Sequence, residues 1–517
     1  MLPELTRETV CYSRGNEPST INKTGEWRFL TPEKGSRLSP CRTGCLLEGE
    51  IPLWLEAVKK EKWQEAWQIM RRYNPFPALT GYVCFHPCTE NCNRGELDQG
   101  IDIRAVEKAI GQWRLNHYEP RTRLKEARGQ VAVVGSGPAG MACAYYLAEA
   151  GYAVTVFERS SLIGGMFALG IPEYRLPRKI LAEELAILRE EGIRFITDCA
   201  VGSSVQLSEL YDHYLEVFIA TGAWISRKAA IPGEEDRRTL NALDFLSMVN
   251  SGEPPDVKDP VIVIGGGNAA IDSARTVLRL SGVNDVTLIY RRSRMEMPAE
   301  LEEVEAAEHE GVEFIFNALP REIETGEAGI RTMHLDHCTT GRKGLIVDPD
   351  RSFHKNCGTV IMALGQEPDY SVFGRLDTDI SLFAGGDLVS GPATVPEAIR
   401  AGRIAAMAIK AKIEDLVLDN NIFLPSENPV SFEDLNLEAK INLQLQHKMA
   451  DPVEEAGRCF GCGTCNSCGI CYIFCPDMAV DQIDGRYQLN MDYCKGCGIC
   501  ARECPARALV MEGGRQL

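Results

Sequence analysis

Eight cysteines near the C-terminus fall into two runs that share one spacing. Each run reads C-x2-C-x2-C-x3-C-P. Three thiolates spaced in this way can wrap around one [4Fe–4S] cubane, and the fourth cysteine of each run then serves the other cubane. The spacing therefore predicts two iron–sulfur clusters. The expected ligands are Cys465, Cys468, Cys471 and Cys504 for the first cluster, and Cys494, Cys497, Cys500 and Cys475 for the second.

Two further cysteines, Cys459 and Cys462, extend the x2 spacing upstream of the first run. They could shift the register of the run, bind a further metal, or have no ligand role. We favour the last interpretation, in which both thiols are idle or structural.

A second group of five cysteines lies in the N-terminal region. Cys41 and Cys45 form one C-x3-C pair, and Cys84, Cys88 and Cys92 continue the same spacing on a separate segment. Such pairs on two loops could gather around one iron–sulfur cluster. No C-x2-C pair occurs here, so a zinc ribbon fits less well. The alternative is a set of buried thiols without a metal, within a region that reads as mainly helical.

The stretch from residue 131 to 161 has the pattern of a dinucleotide-binding unit. An apolar strand at 131–134 precedes Gly135, Gly137 and Gly140 in G-x-G-x-x-G spacing, and a helical segment follows. The three glycines allow a tight turn, close approach of a pyrophosphate, and close packing of helix on strand. Glu158 ends the next strand, where it can accept hydrogen bonds from a ribose hydroxyl.

A second unit of this kind begins at the strand 261–264, with Gly265 and Gly267 in G-x-G-x-x-A spacing. Two such motifs in one chain indicate a flavin and a nicotinamide nucleotide, between which a hydride passes. Arg291, Arg292 and Arg294 stand where an acid would bind the ribose of NADH. A cationic cluster there suits the 2′-phosphate of NADPH. The alternative is that these arginines line the acidic helix that follows.

The remaining cysteines of this middle region are isolated, and no C-x-x-C or C-x4-C pair occurs there. A redox disulfide is therefore not expected beside the flavin. Electrons should leave through the iron–sulfur centres instead.

Composition narrows the function classes further. The chain has 517 residues and a formal net charge of −18, which argues against a nucleic-acid partner. No apolar run is long enough for a membrane span, and the N-terminus lacks the apolar core of a secretory signal. We expect a cytoplasmic protein.

Over residues 35–415 the sequence resembles the small subunit of glutamate synthase and its relatives. These relatives include the N-terminal half of dihydropyrimidine dehydrogenase and the flavin subunit of NADH-dependent ferredoxin:NADP oxidoreductase. The resemblance is carried by PCTENCNRGELD, by both glycine motifs, by GIPEYRLPR, and by the GGD and GPATV segments near residue 387.

The resemblance implies that FAD occupies the first site and NAD(P)H the second. It also implies that Asp387 binds the ribityl chain and that the helix starting near Thr394 points at the flavin. The implied cofactor-binding residues are Gly135, Gly137, Pro138, Ala139, Gly140, Glu158, Arg159, Gly165, Arg175, Thr221, Gly222, Gly265, Gly267, Asn268, Ala269, Arg291, Arg292, Gly386, Asp387, Thr394 and Val395.

Family members usually carry two N-terminal clusters, the first of which begins with a C-x2-C pair that this chain lacks. The resemblance therefore implies one N-terminal cluster, held by Cys45, Cys84, Cys88 and, as a non-cysteine ligand, Glu107. Glu107 could equally be a solvated helix residue. Cys41 and Cys92 would be spare thiols or alternative ligands.

The expected fold is α/β, with two Rossmann-like domains between an N-terminal helical iron–sulfur domain and a C-terminal α+β domain like bacterial ferredoxin. The expected boundaries are 1–125 for the helical domain, 126–245 and 363–415 for the FAD domain, 246–362 for the NAD(P)H domain, 416–455 for a linker, and 456–517 for the ferredoxin domain.

The leading hypothesis is an electron-transfer flavoprotein subunit that links NAD(P)H, FAD and clusters to ferredoxin or to a larger oxidoreductase subunit, such as a 2-oxoacid oxidoreductase or a sulfite-reductase system. We expect a hetero-oligomer, no residue that acts as a catalyst beyond the cofactors, and either direction of electron flow. One alternative is the small subunit of glutamate synthase, which supplies electrons to a separate large subunit. Another is a scaffold or redox sensor that keeps its cofactors for structure.

Overall fold

The protein is described from a computed structural model. It covers residue 25 and residues 28–35, 37–120, 127–326, 331–342, 344–374, 382–417, 429–437, 450–483 and 485–513. Most of the expected linker at 416–455 lies outside these described residues.

Eighteen α-helices lie in the described part of the chain. In chain order they are α1 Pro40–Thr43, α2 Ile51–Lys59, α3 Trp63–Met70, α4 Pro77–Val83, α5 Pro87–Glu90, α6 Ile103–Asn116, α7 Pro138–Glu149, α8 Met166–Leu169, α9 Arg178–Glu190, α10 Leu207–His213, α11 Ala242–Asn250, α12 Asn268–Val277, α13 Leu301–His309, α14 Asp387–Ser390, α15 Val395–Ile413, α16 Pro452–Gly457, α17 Ile470–Ile473 and α18 Ile499–Arg502.

Nineteen strands lie in the same described part. They are β1 Leu30–Lys34, β2 Gln130–Val134, β3 Ala153–Phe157, β4 Arg194–Ile196, β5 Glu216–Ile219, β6 Ile225–Ser226, β7 Thr239–Asn241, β8 Val261–Ile264, β9 Val286–Tyr290, β10 Glu313–Phe316, β11 Ala318–Thr325, β12 Arg331–Gly341, β13 Gly344–Cys357, β14 Thr359–Met362, β15 Gln366–Glu367, β16 Phe383–Ala384, β17 Val480–Ile483, β18 Arg486–Leu489 and β19 Leu509–Gly513.

The chain divides into two compact units. The first combines both ends of the chain, Met1–His117 and Asp419–Leu517, and the second is Tyr118–Leu418. We call them the end unit and the middle unit.

The middle unit contains two parallel five-stranded sheets. The first has the strand order β16-β5-β2-β3-β4, and the second has the order β10-β9-β8-β14-β7. The inner strands β2 and β8 are apolar and buried, as is usual where helices cover both faces of a parallel sheet. Strand β7 belongs to the second sheet, although its residues precede the expected domain boundary at 246.

An antiparallel sheet of β11, β12 and β13 extends the second domain. A short antiparallel pair, β6 with β15, is formed by the segments between the two large sheets.

The N-terminal part of the end unit is mainly helical. Its core gathers apolar side chains from α2, α3 and α6, including Trp54, Val58 and Ile110. The helical spacing of these side chains is the pattern expected of amphipathic helices. Ala456 of α16, from the C-terminal part of the chain, joins the same core.

The C-terminal part of the end unit contains the hairpin β17–β18 and two short helices, each of which lies within one of the cysteine runs. Its last strand, β19, pairs antiparallel with β1. A strand from residues 30–34, which the sequence placed in the helical domain, is thus part of the ferredoxin-like sheet structure.

The predicted fold class, with two Rossmann-like domains flanked by helical and ferredoxin-like parts, is confirmed. Within the described residues, no helix has the length and apolar character needed to cross a membrane.

Candidate functional site

A cavity of about 440 Å³ opens at the carboxyl ends of the first parallel sheet, the usual place for a ligand in an open α/β sheet. It collects nearly all the residues predicted for the first dinucleotide. These are Gly135, Gly137, Pro138, Ala139, Glu158, Arg159, Gly165, Thr221, Gly222, Gly386, Asp387, Thr394 and Val395. Their contacts with FAD stay a prediction.

The three glycines of the first motif have different surroundings. Gly135 has a φ of +101° where the chain turns from β2 into α7, a conformation that suits glycine. A Cβ atom on Gly140 would collide with the carbonyl oxygen of Gly135, whereas a Cβ atom on Gly137 would meet no protein atom within 4 Å. Gly140 thus serves helix–strand packing, and Gly137 faces open space at the helix N-terminus.

Glu158 is buried, and its carboxylate is already engaged by protein groups. It accepts hydrogen bonds from the Ser136 N–H at 2.9 Å, the Ser136 hydroxyl at 2.6 Å and the Ser160 N–H at 2.9 Å. An ionised carboxylate can accept about four hydrogen bonds, so one position is left for the predicted ribose hydroxyl. Ser136, which anchors Glu158, occupies a variable position of the motif and was missed by the sequence reasoning.

Asp387 and the start of α15 close the opposite side of the cavity. Burial raises the pKa of Asp387 to about 6, although a hydrogen bond from the Ala393 N–H at 3.3 Å opposes this rise. Thr394 caps α15 through a reciprocal pair of bonds with Glu397. The first N–H groups of this long helix therefore lie at the cavity, where a helix N-terminus favours an anion or an oxygen acceptor.

These features fit FAD. The hydroxyl oxygen of Thr221 is buried without a hydrogen-bond partner among the described residues, as expected of a group whose partner is supplied by a bound ligand. The open space in front of Gly137 can take a pyrophosphate next to the α7 N-terminus.

Several lining residues carry no motif and were not predicted. Cys199, Gly202 and Ser203 come from the loop before α10, and Asp369 and Ser371 come from the segment after β15. Only tertiary structure brings these segments to the cavity, so no local signal in the sequence could have found them. The Arg159 guanidinium lies 4.6 Å from the ring centre of Trp224, which also lines the cavity.

The second glycine motif repeats this arrangement at the end of β8. Gly265 has a φ of +150°, and a Cβ atom on it would collide with the carbonyl oxygen of Ala363. A Cβ atom on Gly267 would meet nothing within 4 Å. Asn268 and Ala269 begin α12, and the Asn268 side chain accepts a hydrogen bond from the Glu300 N–H at 3.0 Å.

The arginines after β9 separate into two kinds. Arg294 pairs with Glu308 of the acidic helix α13, with Nη2 and Oε2 2.8 Å apart. Arg291 and Arg292 are exposed, and neither has a carboxylate within ion-pairing distance in the described part of the chain. The interpretation that the arginines line the acidic helix therefore holds for Arg294, and the other two stay available to a 2′-phosphate.

Arg175 does not line the flavin cavity. Its guanidinium forms a buried ion pair with Asp272 at 2.8 Å and contacts Glu303 at 3.1 Å. Burial raises the pKa of Asp272 to about 6, while Arg175 opposes the rise. This pair joins the two dinucleotide domains, and the predicted cofactor contact of Arg175 stays a prediction.

The C-terminal cysteines are grouped as the spacing predicts. A cavity of about 20 Å³ is lined by Cys475, Cys494, Cys497 and Cys500. Burial and the three neighbouring thiols raise the pKa of Cys500 to about 11. In the other set, burial raises the pKa of Cys471 to about 12, and the neighbours Cys468, Cys465 and Cys504, together with Cys500 of the first set, contribute to this rise.

The predicted N-terminal set is also brought together. Burial raises the pKa of Cys88, and the nearby Cys45, Cys84 and Glu107 raise it further. Glu107 is buried, so the alternative of a solvated helix residue is wrong. Its carboxylate contacts His86 Nε2 and Asn74 Nδ2, each at 2.8 Å, and the Thr80 hydroxyl. Its role as a cluster ligand stays a prediction.

Cys41 and Cys92 differ from that set in the cavity that they line. Both line a second cavity of about 20 Å³, together with Cys459 and Cys462 from the C-terminal part of the chain. The sequence favoured no ligand role for Cys459 and Cys462, and it did not predict this juxtaposition.

Three family models match the chain. The pyridine nucleotide-disulphide oxidoreductase family matches residues 129–402, which is more than half of the chain. The domain II family of dihydropyrimidine dehydrogenase, with a 4Fe-4S cluster, matches residues 36–118. A 4Fe-4S binding domain matches residues 487–510.

Three curated relatives match a similar share of this chain. The beta subunit of NADPH-Fe(3+) oxidoreductase from Geobacter sulfurreducens is 34% identical over 73% of this chain and 64% of its own length. The beta subunit of NADP(+)-dependent formate dehydrogenase from Moorella thermoacetica is 34% identical over 72% of this chain and 59% of its own. The small chain of NADPH glutamate synthase from Azospirillum brasilense is 32% identical over 72% of this chain and 86% of its own.

The chain spans less than two thirds of the length of the first two of these relatives. The matched domains imply FAD and NAD(P)H in the middle unit and [4Fe–4S] clusters in both parts of the end unit, and the residues described above fit them. The chain belongs to the pyridine nucleotide-disulphide oxidoreductase family, among the FAD- and iron–sulfur-dependent NAD(P)H oxidoreductases that resemble the small chain of glutamate synthase.

Proposed function

We propose that this chain is the flavin subunit of an electron-transfer complex, in which electrons move between NADPH, FAD, the clusters and a ferredoxin or a larger oxidoreductase subunit. The observation that carries the proposal is the presence of two glycine-motif sites in the middle unit and of closely grouped cysteine sets in the same chain. FAD supplies the conversion of a hydride into single electrons.

The residues of the chain have binding and orienting roles in this scheme. Gly137 and the α7 N-terminus leave room for the pyrophosphate of FAD, and Glu158, fixed by Ser136, presents an acceptor to the ribose. Asp387 and the N-terminus of α15 bind at the opposite side of the cavity. No general acid or base is required, because hydride transfer occurs between the two cofactors.

We infer a preference for NADPH. The exposed pair Arg291 and Arg292 follows β9, where a 2′-phosphate would lie, and no acid replaces them. The names of the three relatives agree with this preference, since all of them contain NADPH or NADP(+).

A hetero-oligomer is supported by the same names, which describe beta subunits and a small chain. A role as the small subunit of glutamate synthase is the second candidate, because this chain spans 86% of that relative. The ferredoxin-like part disfavours it, since electrons that leave through this part suit a ferredoxin or a cluster-containing partner.

The test uses the full chain, purified without oxygen and assayed for FAD and iron. NADPH should bleach the flavin absorbance faster than NADH at equal concentration, and viologen or ferredoxin should reoxidise it. A flavin that neither nucleotide bleaches would refute the proposal and would favour the scaffold or sensor hypothesis. Copurification with a glutamate synthase large subunit would establish the second candidate instead.

A further inference from the structure

Four cysteines that are far apart in sequence lie around one small cavity in the end unit. Cys41 and Cys92 come from the helical part, and Cys459 and Cys462 come from the segment before the ferredoxin-like runs. The remaining lining is largely apolar and includes Leu55, Ile101 and Phe460.

A buried polar network fixes the C-terminal segment in this place. The Arg458 guanidinium pairs with Glu455 at 2.7 Å and with Asp98 at 3.1 Å. Arg94 donates to the Arg458 carbonyl oxygen at 3.0 Å, and its guanidinium pairs with the same Asp98 at 2.6 Å. Both arginines are at most 3% exposed. Buried charges persist only when they are well paired, so this network specifies the position of the segment.

The site resembles the predicted cluster site of the ferredoxin-like part in size. The cavity at Cys41 and the cavity at Cys497 each measure about 20 Å³, and each is lined by four cysteines.

The sulfur atoms at both sites also receive backbone N–H groups. The Gly461 N–H lies 3.3 Å from the Cys459 sulfur, and the Ala479 N–H lies 3.2 Å from the Cys475 sulfur. The Asn93 side-chain amide approaches the Cys462 sulfur at 3.5 Å. Such hydrogen bonds tune the charge of cluster thiolates.

Other uses of four such thiols fit less well. In the described residues no group of three or more His, Cys, Asp or Glu side chains is arranged to hold a single metal ion, at this cavity or at the predicted cluster sites. No disulfide joins any of the four cysteines. Soft thiolates select iron–sulfur clusters, zinc or copper(I), and a cubane needs wider spacing than an ion.

We propose that Cys41, Cys92, Cys459 and Cys462 hold a further [4Fe–4S] cluster, a composite site whose ligands come from both ends of the chain. The cluster would accept one electron to pass from the 2+ to the 1+ state and return to 2+ when it donates that electron, with no bond to a substrate. This site is separate from the N-terminal set of Cys45, Cys84, Cys88 and Glu107. It replaces the interpretation of Cys459 and Cys462 as idle thiols.

The test counts iron and sulfide in the full chain purified without oxygen. Cys459→Ala and Cys41→Ala should each lose about four iron and four sulfide atoms per chain, and one component of the electron paramagnetic resonance spectrum of the reduced protein. FAD content and bleaching by NADPH should be retained. Cys143→Ala is the matched control, because Cys143 is fully buried in α7 and outside every cysteine group, and it should lose no iron.

Double variants distinguish one shared site from two. Cys41→Ala/Cys459→Ala should lose about four iron atoms, no more than either single variant, because both residues serve one cluster. Cys459→Ala/Cys465→Ala should lose about eight iron atoms, because Cys465 is a ligand of a different cluster.

Four results would overturn the proposal. The first is full iron content in Cys459→Ala, and the second is an additive loss of about eight iron atoms in Cys41→Ala/Cys459→Ala. The third is a loss of only about four iron atoms in Cys459→Ala/Cys465→Ala. The fourth is zinc in place of iron at this site. The third result would show that Cys459 shifts the register of the first ferredoxin-like run. If Cys459→Ala failed to fold, as judged by lost FAD, the Cys41→Ala and Cys92→Ala variants would decide the question by the same iron count.

Discussion

Gly137 and Gly140 belong to one motif but differ in what a methyl group would meet. At Gly137 a methyl group would project into open space, and at Gly140 it would collide with the Gly135 carbonyl oxygen. We predict that Gly137→Ala leaves the stability of the FAD-free protein within about 0.5 kcal/mol of the original and weakens FAD binding at least about tenfold. Titration of the FAD-free protein with FAD measures this.

Gly140→Ala is the contrasting variant. It should lower the free energy of unfolding by about 1–3 kcal/mol, as overpacking does, because the collision occurs inside the protein. Thermal unfolding of the FAD-free protein measures the difference. Equal destabilisation by both variants would contradict the distinct roles given to the two glycines.

Arg291 and Arg292 offer a test of nucleotide choice at the scale of single side chains. Replacing both by Gln should raise the KM for NADPH by about tenfold or more, because a charged hydrogen bond contributes about 1.5–3 kcal/mol. The KM for NADH should change little. Arg294→Gln is the matched control, since Arg294 already pairs with Glu308. The ratio of the KM for NADPH to the KM for NADH should be the same in this variant as in the original protein.

The roles of individual residues were only partly predictable. The glycine spacing is local, and it placed Gly135, Gly137 and Gly140 at a strand–turn–helix unit that the structure contains. The partners of Glu158 and Arg175 depend on residues brought close by folding. Sequence spacing could not show that Ser136 donates a hydrogen bond to the Glu158 carboxylate or that Asp272 accepts one from the Arg175 guanidinium.

At the scale of elements, strand β1 carries a prediction of its own. Gly35 donates to Ala508, and the register pairs Glu33 with Val510. Because hydrogen-bonded pairs alternate along an antiparallel ladder, the Glu33 N–H points toward β19, whereas the Lys34 N–H points away from it. Pro32, which has no N–H, occupies the same kind of position as Lys34. The ladder thus already contains a proline at a position where no N–H is needed.

Glu33→Pro should therefore destabilise the ferredoxin-like part by about 1–3 kcal/mol, since a ladder acceptor is left unsatisfied. Lys34→Pro should be tolerated, because its N–H makes no ladder bond. Thermal loss of the cluster absorbance at visible wavelengths measures both variants. A lower melting temperature for Lys34→Pro than for Glu33→Pro would show that the register is different.

The helices and strands differed in how well the sequence predicted them. The inner strands β2 and β8 were predictable, because short apolar runs before glycine motifs are typical of parallel sheets. Strand β1 was not, since LTPEK is short, polar and interrupted by proline. Its partner lies at the other end of the chain, so only the folded structure reveals the pair.

For the whole molecule, the order of electron flow is the property to test. Cys497→Ala should remove one cluster of the ferredoxin-like part, because Cys497 lines the cavity formed with Cys475, Cys494 and Cys500. We predict that reduction of an external ferredoxin falls to a small fraction of the original rate, while bleaching of the flavin by NADPH is unchanged. Stopped-flow absorbance separates the two steps, and Cys143→Ala serves as the control. Loss of flavin bleaching would contradict this order.

The meeting of both chain ends in one unit has a consequence for how the protein is made. Asn93 and Cys462 are in contact although 369 positions separate them. A ribosome that adds about 5–20 residues per second needs on the order of 20–70 s to cover that distance. During this interval Cys41 and Cys92 have emerged without their partners, and β1 has no strand to pair with. The proposed composite cysteine site is therefore completed only after the whole flavoprotein region has been synthesised, and binding of iron there would report that synthesis has passed Cys462.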